Sequence, residues 1–153
     1  MHSRLDYARV APDAYAAVRA LNDFVVHRSG LEPLLIDLIK LRASQINGCA
    51  YCVDMHTKEA RAHGAGEQWI ALVAAWQESA VFSPAERAAL AWTEALTLLP
   101  QTRAPDADYA RLCAAFTPEQ VVNITVAIGL INVWNRLAVG FRAQHPLDRP
   151  AAS

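Results

Sequence analysis

The chain has 153 residues, enough for one domain that buries a core without disulfide or metal staples. Hydrophobic residues make up 54% and charged residues 19%, with a net charge of -1. That balance gives no electrostatic reason to expect nucleic acid or an anionic membrane as partner. So apolar a composition points instead to a buried interface between copies.

Met1-His2-Ser3-Arg4-Leu5-Asp6 lacks the apolar run of a signal peptide, so a cytoplasmic location is expected. Pro12-Asp13 opens a predicted helix that runs to about His27, and Gly30 closes it. Pro33 starts a second helix, Leu34 to Gln45, which stops at the turn signal Asn47-Gly48. A third spans Cys49 to His63 and ends at Gly64, and a fourth spans about Glu67 to Gln77. Ser83-Pro84-Ala85-Glu86 reads as a capping box with proline at the first helical position. It begins a fifth helix, which Pro100 is expected to end. A short sixth covers about Asp108 to Ala115. Thr117-Pro118-Glu119-Gln120 repeats the capping logic and opens a long seventh, to about Arg142. Its apolar stretch is broken by Asn123, Thr125, Asn132, Asn135 and Arg136, so it reads as a buried helix and not a membrane span. No strand-like alternation interrupts the series. The expected fold is all-α, a single domain over residues 1–153 with about seven helices and a core of about 12–143.

The chemistry concentrates in Cys49, Cys52 and His56. At about 100° per residue these three fall within roughly 60° of one helix face. A thiol pair next to Asn47-Gly48 lies near a helix N-terminus, where unpaired N–H groups favour a thiolate. An imidazole on the same face can hold the proton. Asp37 is the anomaly of the second helix: a carboxylate on the stripe Leu34, Leu38, Leu41, which needs a partner if buried. His56 is the expected partner, which would make an acid–base relay. A structural zinc needs four ligands and this cluster supplies three, so neither metal nor cofactor is expected. Cys113, between Leu112 and Ala114, reads as a packing residue. Trp69, Trp76, Trp92 and Trp134 read as core or interface, and His2, His27, His63 and His145 as surface residues. Tyr51 suits either packing or donation of its hydroxyl to the site.

The run from Leu41 through Cys49-Ala50-Tyr51-Cys52 to His56 resembles the core motif of the carboxymuconolactone decarboxylase/AhpD-like alkylhydroperoxidase family, in its peroxidase-like branch. Asn132-Val133-Trp134-Asn135-Arg136-Leu137-Ala138 is similar to that branch's C-terminal helix. The resemblance implies an all-helical homo-oligomer, often a hexamer, with cysteine-based hydroperoxide reductase activity and an external dithiol as reductant. It implies that Cys52 attacks the peroxide, that Cys49 resolves the product, and that His56 and Asp37 form the proton relay. The chain departs from the family pattern in having Asp37 for a glutamate and Tyr51 where a second histidine can stand. Two other readings of the same residues stand beside this one. The chain could be a dithiol module that exchanges disulfides with a partner protein, or a non-catalytic helical or zinc-binding protein.

Overall fold

A computed structural model describes residues 2–148. Among them are nine α-helices and one 3-10 segment, and no strand. The elements are α1 (Tyr7–Val10), α2 (Pro12–His27), α3 (Pro33–Ile46), α4 (Ala50–Ala62) and α5 (Glu67–Leu72). The 3-10 segment (Val73–Glu78) follows, then α6 (Pro84–Thr97), α7 (Leu99–Thr102), α8 (Asp106–Ala115) and α9 (Pro118–Phe141).

Helix α3 lies at the centre and packs against α4, α6 and α9. Its apolar residues point two ways, which is why it reads as hydrophobic nearly all round. Ile36 and Ile39 join a cluster with Val25, Trp92, Ile124 and Ile128. Leu38 and Leu41 join a second with Ile70, Val73, Trp76 and Leu90. The chemistry-bearing side chains of α3 are therefore held between two packed cores.

Both capping boxes form. The Glu86 N–H donates to Ser83 Oγ at 3.3 Å, and the Ser83 N–H donates to Glu86 Oε2 at 2.7 Å. Thr117 and Gln120 make the same reciprocal pair at 3.3 and 3.0 Å. They start α6 and α9 where the sequence places them.

Three boundaries differ from the sequence reading. Helix α1 adds a short turn, capped by Asp6, whose carboxylate accepts from the Arg9 N–H. The expected fifth helix ends at Thr97, before Pro100, and that proline sits in the first turn of α7, where its missing N–H costs nothing. The expected fourth helix breaks at Ala75, with φ -120° and ψ 27°. Its tail is held from outside: the Arg87 guanidinium donates to the carbonyls of Trp76, Gln77 and Ser79. Those tertiary bonds replace the helical ones, and a local sequence pattern does not contain them.

Helix α9 is long and apolar enough to cross a membrane by length and composition alone. Here it is a core helix, as expected from its asparagines. It packs on α2, α3 and α6 and buries Asn123 and Asn135 with hydrogen bonds. Val122, Val133 and Val139 remain exposed along its outer side.

Candidate functional site

The site begins at the turn between α3 and α4. Gly48 has φ +65°, a left-handed conformation that glycine adopts without strain. It reverses the chain so that the Cys49 N–H donates to the Ser44 carbonyl at 3.0 Å. Asn47 then ties the turn to α9. Its Nδ2 donates to Asn135 Oδ1 at 2.8 Å and to Asn132 Oδ1 at 3.0 Å. Asn135 Nδ2 donates in turn to Ser44 Oγ at 3.0 Å, and Ser44 Oγ donates to the Lys40 carbonyl at 2.7 Å. Helices α3 and α9 thus fix the entry to α4.

Cys49 is the N-cap of α4, and its sulfur accepts the Cys52 backbone N–H at 3.3 Å. The two sulfurs lie at bonding distance, with the Cα atoms 5.3 Å apart. Both residues are buried, and Ala138 of α9 packs against them. An N-cap sulfur that accepts a helical N–H is stabilised as a thiolate when reduced. His56 follows Cys52 by one turn on the same face and is 2% exposed. The two cysteines meet as the spacing predicts, and His56 lies one turn beyond them on the same helix.

The carboxylate beside His56 is not the one the sequence points to. His56 Nδ1 lies 2.7 Å from Glu59 Oε2. Asp37 is buried, as expected, but its Oδ2 lies 2.6 Å from Nδ1 of His63. This corrects the expected Asp37–His56 contact. The reason is reach: Glu59 lies three residues after His56 on the same helix face, whereas Asp37 must approach from α3. His63 is a surface residue, as expected, but its imidazole also holds the buried Asp37 carboxylate, a pairing the sequence reading did not foresee.

The electrostatics of the two carboxylates diverge. Burial pushes the Asp37 carboxyl above the usual range, and the hydrogen bond from His63 only partly opposes it. The hydrogen bond from His56 holds Glu59 below the usual range, against burial. Lys40, one turn after Asp37, is buried, and its Nζ donates to Asn22 Oδ1 at 3.3 Å. Burial pulls its ammonium pKa down, while Glu59 and Asp37 hold it up.

These groups line one cavity of about 620 Å³, a size suited to a small organic molecule. Asp37, Lys40, His56, Glu59 and His63 form its polar wall. Tyr15, Tyr51, Ile36 and Trp134 contribute apolar surface. Tyr51, which the sequence left open, lines the cavity and also packs beside the cysteine pair. Sequence reading missed Lys40 and Glu59. Glu59 was legible in principle, as the i+3 neighbour of His56, and Lys40 as a second charge on a helix otherwise apolar all round.

Among the other expectations, Trp76 and Trp92 are buried while Trp69 and Trp134 are half-buried. Cys113 is exposed and not packed, because Leu112 takes the buried face of α8 and Cys113 is turned about 100° away. Among the described residues, no group of three or more His, Cys, Asp or Glu side chains is arranged to hold a metal ion.

Comparison with known proteins places this geometry. A model of the carboxymuconolactone decarboxylase family matches residues 12–95. The uncharacterized protein YdfG of Bacillus subtilis is 39% identical over 139 residues, covering 91% of this chain and 94% of its own length. The alkyl hydroperoxide reductase AhpD of Acidobacterium capsulatum is 49% identical over 41 residues, 27% of this chain and 22% of that protein. Among solved structures, ATU0492 from Agrobacterium tumefaciens superposes with a TM-score of 0.93 at 54% identity. It covers 96% of this chain and all of its own, and is a protein of unknown function suggested to be the antioxidant defence protein AhpD.

Proposed function

Because this chain belongs to the carboxymuconolactone decarboxylase family, we propose that it is a thiol-dependent hydroperoxide reductase of the AhpD type. One observation carries the reading: two buried sulfurs at bonding distance on a helix N-terminus, with a buried imidazole one turn further on. The local identity with an alkyl hydroperoxide reductase supports the same chemistry.

In the reduced chain, His56 takes the Cys52 proton. The Cys52 thiolate attacks the distal oxygen of a hydroperoxide, the O–O bond breaks, and the leaving alkoxide takes a proton from His56 and departs as the alcohol. Cys52 is then a sulfenic acid. The Cys49 sulfur attacks it, water leaves, and the disulfide forms. An external dithiol returns two electrons and is itself oxidised to a disulfide. Asp37 acts in this scheme through His63: the half-exposed imidazole and the buried carboxyl form a second proton route, from solvent to the cavity. The enzyme acts in the cytoplasm as a homo-oligomer, a hexamer in this reading, with the exposed valines of α9 in its interfaces.

A second reading, disulfide exchange with a partner protein, is favoured by the N-cap position of Cys49, which makes its thiolate a good leaving group. The burial of both sulfurs opposes it, since a protein thiol must reach one of them. Peroxide consumption with a panel of dithiol donors separates the two. Catalytic turnover with at least one donor supports the peroxidase. Rapid disulfide exchange with no peroxide consumption overturns it.

A further inference from the structure

We propose that Glu59 is the positioning residue that sets the tautomer of His56 and makes its Nε2 the proton acceptor for Cys52. The proposal deepens the peroxidase reading and rests on it for the identity of the thiol served.

An ionised carboxylate only accepts hydrogen bonds, so at 2.7 Å from Glu59 the His56 Nδ1 must be the nitrogen that carries hydrogen. In the neutral ring the lone pair then lies on Nε2. That nitrogen is buried and makes no hydrogen bond within the protein. A buried nitrogen with a free lone pair, on the helix face that carries Cys52, is a base with nothing else to bind. The arrangement follows the logic of a carboxylate–imidazole–nucleophile triad, recognised by roles and not by order in the sequence.

Glu59 suits the task better than Asp37 does. The carboxylate must stay charged to stabilise an imidazolium, and Glu59 is held ionised while Asp37 is pushed toward its neutral form. Glu59 also shares helix α4 with both His56 and Cys52, so the geometry survives small movements between helices. The other titratable groups on this cavity are Asp37 and Lys40 from α3, His63 at the C-cap of α4, Arg19, His27 and Tyr15 from α2, Tyr7 from α1 and Tyr51 from α4. Lys40 and His63 reinforce the ionised state of Glu59.

The test reads the thiol without using peroxide, so it stands even if the peroxidase reading fails. In a Cys49→Ser, Cys113→Ser background, the alkylation rate of Cys52 by iodoacetamide is followed against pH. Removing the charge with Glu59→Gln should raise the midpoint by about one pH unit, the low end for a charge partner because this carboxylate is half-exposed. Glu59→Asp should recover part of the shift, and Glu67→Gln, in a surface ion pair with Arg61, should leave the midpoint in place. Nitrogen NMR of His56 in the otherwise unaltered chain gives a second readout that needs no variant: hydrogen on Nδ1 and a bare Nε2. An unchanged midpoint in Glu59→Gln, or hydrogen on Nε2 in the neutral ring, would overturn the proposal.

Discussion

Replacing Asn135 by alanine should loosen the cysteine pair without touching either sulfur. Asn135 is 1% exposed and makes two bonds at the base of the site, accepting from Asn47 Nδ2 at 2.8 Å and donating to Ser44 Oγ at 3.0 Å. Neither partner is left wholly bare, because Asn47 also bonds Asn132 and Ser44 also bonds the Lys40 carbonyl. The cost is then the net worth of two hydrogen bonds, about 1 kcal/mol each, plus a small void left by the truncated side chain. A total of about 2–3 kcal/mol corresponds to a fall in Tm of roughly 4–12 °C for a chain of this size. Thermal unfolding followed by circular dichroism measures the fall, and oxidation of the reduced protein by a hydroperoxide should slow in parallel. A Tm within about 1 °C of the parent, with oxidation unchanged, would refute the claim that the Asn47–Asn135–Ser44 bonds position the pair.

Three further outcomes are expected. Gly48→Ala forces a side chain into the left-handed region at φ +65°, so it should destabilise by roughly 1 kcal/mol in chemical denaturation although no neighbour crowds the new Cβ. Asp37→Asn should lower peroxide turnover by about 10²-fold and, at neutral pH, raise stability. A carboxyl whose folded pKa is raised binds more protons folded than unfolded, so its contribution is favourable at low pH and is lost as pH rises through the folded value. Melting curves at neutral and acid pH check the sign: the Asn variant's advantage should vanish in acid. Light scattering at micromolar concentration should give a mass of several chains; a monomer would remove the oligomer from the account.

Much of this molecule is legible in its sequence because the signals are local. Capping boxes at Ser83 and Thr117, the Asn47-Gly48 turn and the spacing of Cys49, Cys52 and His56 all act within one or two helical turns. What escaped depends on contacts between distant segments. The break at Ala75 is enforced by Arg87, and the asparagine ladder under the cysteines joins Asn47 to residues 85 and 88 positions away. The partner of Asp37 depends on such a contact too: His63, at the C-cap of α4, and not His56 meets the carboxylate from α3. Glu59 is the exception: its contact with His56 spans only three residues of one helix, and the sequence carries it as an i+3 pair.

The central claim, that Cys52 reduces hydroperoxides and Cys49 closes the disulfide, is tested most directly by a single turnover of the reduced chain. One equivalent of an alkyl hydroperoxide is added, and intact and peptide mass spectrometry follow. The account predicts loss of two hydrogens with a Cys49–Cys52 crosslink in the parent. It predicts a sulfenic acid trapped by dimedone on Cys52 in Cys49→Ser, and no peroxide reaction at the pair in Cys52→Ser. Sulfenic acid on Cys49 in the Cys52→Ser variant, or a parent pair that stays reduced, would contradict it.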